Sequence, residues 1–328
     1  MKLLMFGKTR TVTRLTEEAA EDFAWAGALV RLIPYRDAKW KKTLEPLLMA
    51  PALGVPLAAQ IARQMRAFEP DLVLGIGPFH WLPAPIFQRL RTAPNRPPLA
   101  AWIGDRFGPQ DKPIADLFDL IGYTDTGLMA LHQEYGFKAK ALYLPLAARL
   151  GAAVGPDVDF TKDRDPRLVF VASATPHRRQ VLGAIDRPIA LYGRDFADKA
   201  GLEQHDIHPI RVDQRALSGL YRRHGAVLNI RHELNVINGL NQRHFAPYVE
   251  GAAVVGDEMG DLAAALEPGV EVLTYRDGAE LNALAARLGA EPDLARRIAR
   301  AGHRRVLAEH TYRNRLQTLA TAAGVRFA

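Results

Sequence analysis

The feature that most constrains this chain is an alternation of short apolar runs with helix-patterned segments, carried through the sequence twice. Alternation of this kind is the pattern of parallel α/β layers. In the first half the runs at 2–6, 30–34, 72–75, 99–103, 120–123 and 141–144 read as strands. Helices are expected over 14–28, 57–68, 83–91 and 126–135, the last capped by Thr126. In the second half strands are expected at 168–171, 189–192, 207–212, 226–230, 252–256 and 270–275. Helices are expected over 178–185, 214–223, 241–250, 261–266 and 279–288, with a helical tail from Pro292 to about Ala323. Between the halves, 147–165 contains Gly151, Gly155, Pro156 and the charge run "KDRD", which reads as a linker.

The chain has 328 residues, more than the ~250–300 at which one core stops growing. The expected fold class is therefore α/β, with two Rossmann-like parallel-sheet domains facing a cleft. The expected boundaries are a first domain over 1–155, a second over 165–305 and a helical tail over 306–328. In open sheets of this kind, ligands bind beyond the carboxyl ends of the strands.

Composition narrows the function classes. There is no Cys, which removes disulfides, thiolate metal sites and a Cys nucleophile. No run approaches the ~18 apolar residues of a membrane span. The N-terminal apolar run is too short for a signal-peptide core and reads as a first strand. A cytoplasmic protein is expected. Net charge is +7. Residues 1–150 carry 19 Lys and Arg against 14 Asp and Glu, an excess of 5, leaving an excess of 2 for 151–328. The excess suits a phosphate-bearing ligand, or peripheral contact with an anionic membrane. It lacks the basic stripe interleaved with aromatics that nucleic acid would ask for.

The loops after the strands carry the candidate chemistry. "GKTRTVTR" from Gly7 lacks the spacing of a dinucleotide or Walker loop. "GIGPFHW" turns His80 to the sheet edge, and "WIGDRFG" does the same for Asp105. The two can act as a base and its orienting partner. The alternative is that Asp105 caps local backbone and His80 packs under Trp81. His232-Glu233 is not a zincin motif, because position 236 is Val. His205 and His208 lack a third ligand, so no bound metal is expected.

In "FVASATPHRR", Ser173 and its small neighbours allow close backbone approach. Thr175 and Pro176 read as an N-cap and first helical residue. Arg178 in the first turn opposes the helix dipole unless an anion sits there. The richest stretch is 229–251, which holds four Asn, two Arg, two His and two Glu between two apolar strands. Asn238-Gly239 suits a turn of positive φ that enters a helix at Asn241. Arg231 and Arg243 can hold a diphosphate, and Glu250 can accept from ribose hydroxyls. Alternatively, these polar groups satisfy the loop's own backbone.

"LYRRHGAVLNI…INGLNQRHFAPYVEGAAVV", "LEPGVEVLTYRD" and "HTYRNRL" resemble the CgeB-like (spore maturation protein) glycosyltransferases, within the GT-B group. The matching positions are Asn229, Asn238, Gly239, Asn241, Arg243, Phe245, Gly251, Ala252, Pro268, Gly269, Glu271, Tyr275, His310, Thr311, Tyr312 and Arg315. The resemblance implies a two-domain GT-B fold with a final helix crossing back to the first domain. It implies a nucleotide-sugar co-substrate on the second domain, an acceptor on the first, and sugar transfer without a metal or other cofactor. Under it, Arg178, Arg231 and Arg243 face the diphosphate. Asn238, Gly239 and Asn241 form the loop and helix start. Glu250 holds ribose or sugar hydroxyls, and His80 and Asp105 face a glycan, lipid-linked, protein or small-molecule acceptor. One position departs from the family. Ala246 stands where the family has Glu, and Glu250 lies one helical turn later. A binding protein without catalysis, or a nucleotide-sugar epimerase, are the alternatives.

Overall fold

The computed structural model describes residues 1–9, 15–36, 63–79, 91, 95–150 and 158–327. Each half forms a six-stranded sheet, and every strand pairing is parallel. The first sheet comprises β1 (Lys2–Thr9), β2 (Leu29–Arg36), β3 (Leu72–Ile76), β4 (Leu99–Ile103), β5 (Leu120–Tyr123) and β6 (Lys140–Tyr143), in the order β2-β1-β3-β4-β5-β6. Strands such as "LVLGI" and "LAAWI" are buried along their whole length. Continuous apolar runs of this kind suit a sheet covered on both faces. Helices α1 (Leu15–Trp25), α2 (Lys112–Ala115) and α3 (Thr126–Glu134) accompany this sheet. The cap of α3 is Asp125 rather than Thr126: its carboxylate accepts from the Gly127 N–H at 2.7 Å.

The second sheet comprises β7 (Val169–Val171), β8 (Ala190–Tyr192), β9 (Asp206–His208), β10 (Ala226–Asn229), β11 (Ala253–Asp257) and β12 (Leu273–Tyr275), in the order β12-β11-β10-β7-β8-β9. The chain runs outward from β7 to β9 and then returns to β10 on β7's other side. That reversal makes the β7–β10 edge a topological switch point. The helices here are α4 (Pro176–Gly183), α5 (Gln214–Arg223), α6 (Ala246–Val249), α7 (Leu262–Ala265), α8 (Gly278–Ala290) and α9 (Pro292–Glu309). One face of the sheet packs Phe170, Leu228 and Val255 against Leu182, Leu281 and Ile298. The other packs Val254 against Phe245, Tyr248 and Val306.

Several expected elements are shorter than the sequence suggests, and the strand expected at 207–212 spans only Asp206–His208. The strand expected at 270–275 begins only at Leu273. Gly269, with φ of +80°, reverses the chain and donates to the Val272 carbonyl, leaving Val270 exposed. The helical tail breaks at His310 and Thr311, where the His310 carbonyl accepts from the Ala148 N–H. The last helix, α10 (Tyr312–Ala322), is a separate element. Residues 312–328 pack with 1–145 as one compact unit, and 146–311 form the other. Within the first unit, Tyr312 packs edge-on to Phe23 and Trp102, and Arg315 donates to the Pro145 carbonyl at 2.7 Å.

Candidate functional site

The switch point brings together the loop after β7 (172–175) and the loop after β10 (230–241). Thr175 caps α4 as its sequence suggests, its hydroxyl accepting from the Arg178 N–H at 3.3 Å, with Pro176 next. Arg178 does not face an open helix end. It is turned inward and only 1% exposed. Its Nε and Nη2 donate to the Ile230 carbonyl, and its Nη1 donates to the Ser173 carbonyl and hydroxyl, all at 3.1–3.2 Å. One guanidinium thus ties the two switch-point loops to each other. Burial, with Arg243 adding, lowers its pKa to about 10, so it stays charged at neutral pH.

The start of α4 is already occupied. Pro176 has no N–H, the Arg178 N–H goes to Thr175, and the His177 N–H goes to the Glu233 carboxylate. Thr175 Oγ1 donates to the same carboxylate at 2.8 Å. Burial acts against ionisation of Glu233, but these hydrogen bonds outweigh it and hold its pKa below the usual range. The anion expected at this helix end is, in this conformation, the chain's own Glu233.

The helix expected over 241–250 is instead a 3-10 turn, Gln242–His244, followed by the four-residue α6. Asn238 and Gly239 do not adopt positive φ. Asn241 spends its side chain on its own turn, accepting from the Arg243 N–H at 2.9 Å. It also exchanges side-chain hydrogen bonds with the fully buried Asn229 at 3.1 and 3.2 Å. His244 Nδ1 accepts from the Asn241 N–H and from Asn229 Nδ2. Burial, with Arg243 beside it, drives the His244 pKa down to about 3, so the ring is neutral. Half-buried Arg243 reaches Asn229 Oδ1 through Nε at 3.4 Å, and burial lowers its pKa. Part of the polarity of this stretch therefore satisfies the loop itself, as buried polar groups must. Gly239 is buried, and Asn238 lies half-buried against Gly260, its carbonyl accepting from the Asp261 N–H.

Arg231 turns to Asp257 at the end of β11. Its N–H donates to Oδ1 at 3.2 Å, and Nε stands 3.5 Å from Oδ2. Burial of Asp257 outweighs Arg231 and raises the carboxyl's pKa. The structure thus gathers Ser173, Arg178, Arg231, Asn238, Gly239, Asn241 and Arg243 at one sheet edge.

Glu250 is not among them. It sits before the start of β11, at the opposite edge, where Arg222 of α5 donates to it at 2.6 Å. The reason is local. The short α6 ends at Val249, and Gly251, with φ of +79°, turns the chain directly into β11. Glu250, expected at ribose or sugar hydroxyls, is thus placed in an ion pair at the N-terminal edge of the sheet. Asp105 lies exposed just beyond β4 in the first unit. His80 lies outside the described residues. Sequence reading missed Glu233 and Asp257, although an acid ending the apolar run "AAVVGD" is a visible signal.

Residues 171–321 match a family model described as glycosyl transferase-like. No curated protein matches the sequence. Among solved structures, a glycosyltransferase from Rickettsia africae is 12% identical with a TM-score of 0.66, over 98% of this chain and 97% of that one. Sucrose-phosphate synthase from Thermosynechococcus elongatus is 12% identical with a TM-score of 0.68, over 98% of both chains. HepE of Anabaena, solved with UDP, is 16% identical with a TM-score of 0.63, over 99% of this chain and all of that one. The chain has the GT-B fold, and the family match runs across the switch-point loops of its second sheet.

Proposed function

We propose that the protein is a glycosyltransferase of the CgeB-like kind. It would take a nucleotide-sugar donor at the switch point of its second sheet and pass the sugar to an acceptor hydroxyl without a metal. The observation that carries this reading is the gathering of Arg178, Arg231 and Arg243 with the 230–241 loop at the β7–β10 edge, inside the matched region. The neighbour HepE has been solved with UDP and with UDP-glucose, which supports a UDP-sugar as the first donor to test.

In the reaction the bond from the anomeric carbon to the phosphate oxygen breaks, a bond from that carbon to the acceptor oxygen forms, and the acceptor hydroxyl gives up its proton to a base or to the leaving diphosphate. The nucleoside diphosphate leaves with added negative charge. Fixed cations aimed at such charge are worth several kcal/mol of transition-state stabilisation. Arg243 and Arg231 supply that charge in this proposal. Arg178 acts as a positioning residue that holds the loops, and Asp105 and His80 are the groups proposed to act on the acceptor. The test is Arg243→Ala. It should abolish transfer while leaving the melting temperature within a few degrees, and normal turnover would remove Arg243 from the site.

A second reading has one specific support. Ala246 leaves no carboxylate where the resembled family has one, and Glu250 lies at the far edge bound to Arg222. A protein that binds the donor without transferring it fits that gap. Nucleotide-sugar binding with neither donor hydrolysis nor transfer would favour this second reading.

A further inference from the structure

Glu233 closes the start of α4 from the loop after β10. It lies 58 residues from Thr175 in sequence, yet Thr175 Oγ1 donates to its carboxylate at 2.8 Å. The His177 N–H and the Glu233 N–H donate to the same carboxylate. Arg178 stands near enough to feel its charge. N–H groups and a hydroxyl at a helix start are the groups that hold a phosphate. Here a carboxylate takes them, so the position accepts an anion. The turn that carries Glu233 is closed on itself, with the Asn235 and Val236 N–H groups both donating to the His232 carbonyl at 3.0 Å. Val236 anchors it against the cluster of Leu240, Phe245 and Val254. Leu234 at its tip is 68% exposed and buries little. The half-buried Glu233 side chain can leave α4 by rotation about its own bonds while the turn stays in place.

We propose that Glu233 is a built-in competitor for the donor's diphosphate, capping α4 while the site is empty and swinging out when the nucleotide binds. The inference rests on the donor reading above and adds a gate to it. A phosphate group and the Glu233 carboxylate would use the same Thr175 hydroxyl and His177 N–H. Both are anions and repel each other, so binding at this helix start is an exchange rather than an addition. The apparent dissociation constant is then the intrinsic one divided by the fraction of molecules in which Glu233 has swung out. A nucleoside diphosphate suits such an exchange, because it brings two phosphates. One replaces Glu233 at the helix start, and the other draws on the charges of Arg231 and Arg243. The gate keeps the helix start capped, and its hydrogen bonds satisfied, between one donor and the next.

The test is calorimetric titration of UDP into the full chain, for the wild type, Glu233→Ala, Glu233→Gln and Glu258→Gln. Glu233→Gln keeps the size of the side chain, and so guards against a loss of fold in the Ala variant. Glu258 is an exposed acid just after β11. Its substitution removes the same charge while leaving the Glu233 cap intact. The expected result is UDP binding at least about fivefold tighter in both Glu233 variants. Glu258→Gln should stay within about twofold of the wild type, because an exposed charge is screened by solvent and salt. UDP binding by the Glu233 variants and not by the wild type would support the gate equally. Equal or weaker UDP binding in both Glu233 variants overturns the gate and leaves the donor reading standing. An equal gain in Glu258→Gln overturns it too, because charge alone then accounts for the effect. UDP bound by none of the four proteins removes the donor reading, and the gate with it.

Discussion

Arg178 makes four hydrogen bonds to Ser173 and Ile230 while almost fully buried. Removing it leaves the buried Ile230 carbonyl without its two donors and a void where the guanidinium lay. Arg178→Ala should cost about 3 kcal/mol of unfolding free energy in urea titration. Arg178→Lys should rescue little, because an ammonium cannot span both loops. A loss under ~0.5 kcal/mol would show that the loops hold without it. The neutral His244 makes a pH prediction. Its folded pKa of about 3 lies far below the unfolded value, so the folded state binds fewer protons than the unfolded one as pH falls below about 6.5. Its contribution is whole above about pH 6.5 and is lost on acidification, by about 1.4 kcal/mol per pH unit down towards the folded pKa. The stability difference between wild type and His244→Gln should therefore shrink steadily from pH 7 to pH 4, and a constant difference would contradict a buried neutral ring. Asp257 runs the other way. Its folded pKa is raised, so its ionisation opposes folding at neutral pH and ceases to do so below its unfolded value. Asp257→Asn should raise the melting temperature at pH 7, with the gain fading as pH falls toward 4.

At the scale of elements, the strands were legible because apolar runs with short flanking turns read alike from sequence and structure. The α4 cap was legible from Thr175-Pro176 for the same reason. The 241–250 segment was not. Its helical spacing is genuine, but Pro247 and the Asn241 cap divide it into two short turns. Glu250 then falls at the wrong edge, a displacement that a single sequence cannot reveal. Glu233's seat on α4 was equally hidden, since it joins residues 58 apart. Packing between α6 and α9 gives a sharp test. A Cβ on Gly302 would lie 2.2 Å from the Tyr248 ring, whose hydroxyl is anchored on the Glu271 carbonyl. Gly302→Ala should cost about 1–3 kcal/mol through overpacking. An unchanged urea midpoint would mean the ring can move after all.

At the scale of the molecule, two parallel sheets follow from one repeated alternation and the GT-B likeness from the motifs of the second half, whereas the choice of ligand is written in loops. The loops of the second unit carry the proposed function, in which a nucleoside diphosphate binds at the β7–β10 switch point. Hydrogen–deuterium exchange with and without UDP tests it most directly. Slowed exchange is expected in peptides covering 172–179 and 230–245, with the 158–166 and 218–224 segments at the opposite edge unchanged. Protection confined to other segments, or none at saturating UDP, would contradict it.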